Sequence, residues 1–169
     1  MSTDQDFTQQ DVVEKLRGTS IVMLTTARAD GKLLSHPMTV QDVTDDADVW
    51  LFVGLQGDQA DALRQGPEVN LNVSEAGSWL SVAGRAKFVE DRAKIAELWD
   101  DSAKSYFPDG VDDPNLALVL VTSESAQYWG LPGGKVAGVA QILKAKVTGL
   151  PSASILSACP SLRTTCSGV

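Results

Sequence analysis

The sequence predicts a mainly β fold, a small antiparallel barrel with peripheral helices. Three observations carry that expectation. Apolar runs of strand length recur at 21–26, 49–53, 69–73, 78–89 and 116–122. Short turns join most of them, so hairpins dominate over strand–helix–strand crossovers. Gly84, inside the longest run, suggests a bend or bulge of the sort that closes a barrel.

The elements follow in chain order. Residues 8–17 read as a short helix, with Thr8 as N-cap, Val12, Val13 and Leu16 as the buried stripe, and Gly18 as the stop. Residues 21–26 (IVMLTT) form a β-branched run expected to be buried on both sides or nearly so. Asp30-Gly31 is a strong hairpin signal, and the return strand is Leu34-Ser35-His36-Pro37-Met38-Thr39-Val40-Gln41. Alternation puts His36, Met38 and Val40 on one face and Ser35, Pro37, Thr39 and Gln41 on the other. Proline cannot donate to a ladder and is confined to edges and bulges, so a partly unpaired backbone lies beside the only histidine of the chain. A kinked edge strand and a place where a ligand approaches both fit that pattern.

Val49 opens the next strand after an acidic turn, and residues 58–65 form a short helix with Asp58 as the expected N-cap. Val69-Asn70-Leu71-Asn72-Val73 alternates strictly, with both asparagines outward. In 78–89, Leu80, Val82, Gly84, Ala86 and Phe88 share a face. Asp91 caps an amphipathic helix expected to run to Tyr106, where Pro108-Asp109-Gly110 stops it. The strand at 116–122 is extended at 126–129. A helix is expected over 135–146, with Val136, Val139, Ala140 and Leu143 on one face. The last twenty residues are rich in Ser, Pro and Thr without periodicity, which reads as a disordered tail (150–169) after one domain (1–149).

The chain has 169 residues and a net charge of −8. That charge argues against nucleic acid as a partner, because phosphate neutralisation needs clustered Lys and Arg. All acidic residues precede residue 125, whereas Lys135, Lys144, Lys146 and Arg163 follow it. No apolar run is long enough for a membrane-spanning helix. The polar start MSTDQDFTQQD does not resemble a secretory signal, so a cytoplasmic protein is expected. Cys159 and Cys166 lie in the tail, with no histidine nearby, and make neither a zinc site nor a disulfide framework. No metal site, Ser-His-Asp triad or Cys-His pair is legible.

Several short segments in order carry a family resemblance. They are Met23-Leu24-Thr25-Thr26, Asp30-Gly31, Ser35-His36-Pro37-Met38, Val49-Trp50-Leu51-Phe52, Val69-Asn70-Leu71 and Ser81-Val82-Ala83-Gly84. Glu97-Leu98-Trp99, Tyr106-Phe107-Pro108-Asp109-Gly110, Asp112-Asp113-Pro114 and Gln127-Tyr128-Trp129 continue the series. From about Thr19 to Gly149 the chain resembles the FMN-binding split-barrel family that includes pyridoxamine 5′-phosphate oxidase, and within it the general stress protein 26 branch. The resemblance implies an antiparallel split β-barrel and a homodimer with FMN in the cleft between subunits. It implies cofactor contacts from His36, Pro37, Met38, Thr39 and Gln41, from Phe52, Val53 and Gly54, and from Gln59 at the start of the next helix. Trp129 and Lys135 stand six apart, like the aromatic and basic residues that the second subunit adds. For Trp129 an interface or core role without flavin contact remains open.

Two positions depart from the family pattern. His36 stands where arginine is usual and Gln59 where lysine is usual, and both normally place positive charge at the FMN phosphate. A charge-assisted hydrogen bond contributes roughly 1.5–3 kcal/mol, so weakening both implies on the order of a 100-fold loss of affinity. If His36 contacts phosphate, FMN affinity should rise as pH falls from about 7.5 to 6; a neutral, hydrogen-bonded strand histidine is the alternative. The family's substrate-holding arginine and histidine have no counterpart in Lys135-Val136-Ala137-Gly138-Val139, so pyridoxamine phosphate oxidation is not expected. The resemblance leaves a flavin-dependent oxidoreductase acting on an unknown small substrate, a flavin-storing stress protein without turnover, or a split barrel using a deazaflavin.

Overall fold

The computed structural model describes residues 7–130 and 138–141. Seven strands form one antiparallel sheet: β1 (Ile21–Ala27), β2 (Leu33–Val43), β3 (Val49–Gly54), β4 (Glu68–Glu75), β5 (Ser78–Val89), β6 (Leu116–Gly130) and β7 (Gly138–Gln141). Their order is β3-β2-β1-β4-β5-β6-β7, and β3 also pairs with β6. That extra pairing closes β1–β6 into a six-stranded barrel and leaves β7 as an added edge.

The inward residues alternate as the sequence predicts. Val22, Leu24, Leu51, Leu71, Leu80, Val82, Val119 and Val121 fill the interior. Helix α1 (Gln9–Arg17) adds Val12, Val13 and Leu16 to that core. Thr8 caps it in a reciprocal box: its hydroxyl accepts from the Asp11 N–H at 3.3 Å, and its own N–H donates to the Asp11 carboxylate at 2.8 Å. Closure depends on Gly84. The β5–β6 register slips between Ala83 and Gly84, so Glu124 has no opposite number, and a Cβ at Gly84 would run into the Thr122 carbonyl. The buried Ser123 beside this slip donates its N–H to the Asp48 carboxylate (3.0 Å) and its hydroxyl to the Ala47 carbonyl.

A second core lies outside β3 and β6. Phe52, Leu116 and Leu118 pack there against Ile95, Ala103 and Phe107. These last come from helix α3 (Arg92–Leu98) and the 3₁₀ segment Asp101–Ser105 with its exit.

Four local expectations are corrected. Strand β1 is not buried on both sides: Val22, Leu24 and Thr26 point inward, whereas Ile21 is 57% and Met23 39% exposed. The apolar run was right for a strand, but no element of the described chain covers its outer face. The helix expected from Asp91 to Tyr106 breaks at Trp99, whose ψ of 129° is extended. Asp100 causes the break by accepting the Ser102 N–H at 2.8 Å and starting a new 3₁₀ turn; Asp and Ser compete for backbone groups in this way. Asp58 is not an N-cap. Helix α2 (Asp58–Gln65) starts from Gly57, with φ of 102° and no side-chain cap. Finally, the helix expected over 135–146 is strand at Gly138–Gln141, paired antiparallel with Ser125–Tyr128 of β6. Beyond Val121 that side of β6 has lost β3 as partner, so open backbone groups favour a strand there. The remainder of 135–146, the 150–169 tail and both cysteines lie outside the described residues.

Candidate functional site

Strand β2 changes neighbours along its length. Among the described residues, Leu33–Thr39 pairs only with β1, and the register slips between Val40 and Asp42 as β2 continues against β3. Pro37 therefore sits where β2 has a neighbour on one side only, which its missing N–H tolerates. His36 and Met38 from one alternation face and Pro37, Thr39 and Gln41 from the other all reach the same cavity along this stretch.

That cavity, of about 610 Å³, is lined by His36, Pro37, Met38, Thr39, Gln41, Phe52, Gly54 and Gln59 on one side. Its other wall comes from Ser102, Ala103, Ser105, Tyr106 and Phe107, with Asn115. The size is ordinary for a cofactor-sized ligand. Of the residues that the family resemblance implied, Val53 is turned into the barrel core instead, 1% exposed. Trp129 is on the outer face of the sheet, opposite Trp79 across β5 and β6, and lies apart from this cavity. Lys135 is outside the described residues.

The wall at Ser102–Phe107 and Asn115 was not anticipated. The Asp100–Ser102 capping pattern was the available signal, since it swings the 3₁₀ segment toward β2. The Asp100 carboxyl is held below the usual carboxylate range by hydrogen bonds from Ser102, through its side chain and its backbone N–H.

Polar groups in the cavity are under-used. His36 Nδ1 is buried and has no hydrogen-bond partner among the described residues. The Gln59 amide donates to the Met38 sulfur at 3.1 Å, a weak acceptor. Because Gly57 offers no side chain, the first N–H groups of α2 are not consumed by a cap. The Asp58 carboxylate turns away from them to Arg28, at 3.0 Å. Gly54, at the end of β3, has no Cβ, and one would stand 3.1 Å from Asn115 Nδ2. Among the described residues, no Asp, Glu, Lys or Arg lines the cavity. The arrangement offers neutral polar groups beside apolar surface from Met38, Phe52, Ala103 and Phe107.

Pro37 and Thr39 lead from the cavity to the uncovered face of β1, pairing with Met23 and Ile21. The same sheet face carries Asn70 and Asn72 on β4, joined side chain to side chain at 2.6 Å. Trp79 and Trp129, 43% and 45% exposed, continue it. A contiguous surface of this kind is ordinarily covered.

A family model described as pyridoxamine 5′-phosphate oxidase like matches residues 8–151. The sequence is 25% identical over 142 residues to protein bli-3 of Neurospora crassa, across 78% of this chain and 68% of that protein. The fold is similar to that of a Clostridium acetobutylicum protein related to general stress protein 26, with a TM-score of 0.68 and 22% identity. That match covers 79% of this chain and 96% of the other. It is also similar to the general stress FMN/FAD binding protein of Xanthomonas citri, with a TM-score of 0.63 and 26% identity over 85% of this chain and 97% of that one. The barrel closed through β3 and β6 and the match over most of its length agree: the chain belongs to the pyridoxamine 5′-phosphate oxidase-like family.

Proposed function

We propose that the cavity between β2 and the 3₁₀ segment holds FMN, and that the protein is a flavin-dependent oxidoreductase of the general stress protein type. Its substrate is a small molecule of unassigned identity. The observation that carries this reading is the gathering of weakly used polar groups at one cavity: the Gln59 amide, which stands in the uncapped first turn of α2, with His36 and Thr39 beside it. Backbone N–H groups at a helix start favour a phosphate, and Phe52 and Phe107 supply apolar surface for a ring. The name of the Xanthomonas citri relative, an FMN/FAD binding protein, supports the same ligand.

We infer that a second copy of this chain covers the open mouth of the site. Ile21, Met23, Trp79 and Trp129 form an exposed apolar set that continues from the cavity mouth. In a two-fold dimer each copy's outward residues would border the other's cavity, which gives Trp129 a place beside the partner's flavin; the matching role for Lys135 falls outside the described residues. Bound flavin supplies hydride chemistry. The chain would orient the ring between Phe52 and the 3₁₀ wall, exclude water and hold the phosphate with neutral donors.

That no carboxylate, lysine or arginine among the described residues lines the cavity favours a second reading, flavin storage without turnover. It also leaves room for a deazaflavin. Purified protein that is yellow, and bleaches anaerobically with NADH or NADPH, supports the oxidoreductase. Yellow protein inert to both is storage, and a colourless protein that takes up no FMN rejects the flavin readings.

A further inference from the structure

Asn115 joins the cavity wall to the loop that leads from β3 into α2. Its carbonyl accepts the Leu55 N–H at 2.8 Å, and its side-chain Oδ1 accepts the Gln56 N–H at 3.1 Å. The residue is itself held from behind. Its N–H donates at 2.8 Å to Asp113, whose other carboxylate oxygen takes the Asp109 N–H at 3.3 Å. Asp113 is 5% exposed, so this brace sits away from solvent.

These bonds settle the orientation of the amide. A backbone N–H needs an acceptor, so the oxygen of Asn115 must face Gln56 and the nitrogen must face the other way. Nδ2 then lies beside Gly54, 3.1 Å from where a Cβ would stand, and has no acceptor among the described residues. Gly54, Gln59 and Asn115 all border the same cavity. A donor with a fixed direction and no partner, next to a residue with no side chain, reads an acceptor on a ligand.

We propose that Asn115 is a ligand-specificity residue whose Nδ2 donates to a phosphate oxygen of FMN beside Gly54. The assignment rests on the FMN reading above. It selects the phosphate over the ring because Gly54 leads, through Gly57, to the uncapped start of α2. It also supplies one of the neutral donors by which the cavity replaces a cationic clamp.

Asn115→Asp is the discriminating variant. It keeps an oxygen for the Gln56 N–H and replaces the donor by an acidic oxygen. FMN and riboflavin are titrated into the full chain by flavin fluorescence quenching, with a melting curve on each variant. Asn115→Asp should weaken FMN by about 10-fold or more, consistent with loss of a hydrogen bond to a charged group, and riboflavin by less than about 2-fold. An unchanged FMN affinity, or equal losses for both ligands, overturns the assignment. If the variant does not fold, Gly54→Ala tests the same contact by pressing a methyl on Nδ2. It should also cost FMN more than riboflavin, and equal effects again overturn the idea. A wild-type chain that binds neither flavin refutes the FMN reading, and this inference with it. Wild-type binding with an indifferent Asn115→Asp refutes only the inference.

Discussion

Helices α1 and α2 are similar in length but begin in opposite ways. At α1, Thr8 and Asp11 satisfy each other's backbone N–H groups, and three fully buried side chains pin the helix into the barrel. At α2, Gly57 contributes no side chain, and the first-turn carboxylates are drawn off, Asp58 to Arg28 and Asp61 to Arg64. The sealed start belongs to the core, and the open start borders the cavity. Where donors at a helix start are consumed by the chain itself, the end is structural; where they are left over, they can serve a ligand.

Closing the open start should have the largest effect. Gly57→Asp forces a side chain onto a backbone of φ 102°, a strain of about 1–3 kcal/mol, and puts a carboxylate where the phosphate is proposed to sit. FMN affinity measured by calorimetry should fall on the order of 100-fold. Gln59→Lys acts the other way. It adds a cation at the same helix start, and FMN should bind about 10-fold more tightly. No gain would mean that the phosphate lies elsewhere.

Opening the sealed start should change stability alone. Thr8→Ala removes the reciprocal cap at a cost of about 1 kcal/mol, seen as a drop of about 2–4 °C in Tm, with FMN affinity unchanged. A parallel loss of FMN would erase the distinction between the two helices. Asp58→Asn should raise FMN affinity by only about 2- to 5-fold, because its exposed carboxylate already faces Arg28. The smallest effect is expected at Asp100. Its carboxyl is held low by Ser102, so its contribution is present above the usual carboxylate range and is lost as pH falls through the lowered value. Asp100→Ala should therefore flatten the acid side of a Tm-against-pH curve.

Much of the barrel was legible because each strand carries its own period. Val69–Val73 and Leu80–Phe88 alternate as the sequence predicts, and Gly84 marks the register slip. The errors arose where a distant partner decides. Gly57 and Asp58 are both acceptable caps in isolation, and Arg28, thirty residues earlier, draws Asp58 away. Gly138–Gln141 fits a helical spacing, but the free side of β6 makes it a strand. In Ile21 and Met23 the apolar run signalled burial without revealing that the described chain has nothing to cover them. The β2 side of the cavity came from the family resemblance. The opposite wall did not, because Asp100 redirects the chain after Trp99 and Asn115 is tied to backbone groups of Leu55 and Gln56, some sixty residues away, that no local pattern records.

The most direct test is sedimentation velocity of the full chain during an FMN titration, recorded in the visible flavin band. A dimer carrying one perturbed FMN per chain is the predicted result. A monomer that leaves the flavin spectrum unchanged at millimolar FMN would contradict it.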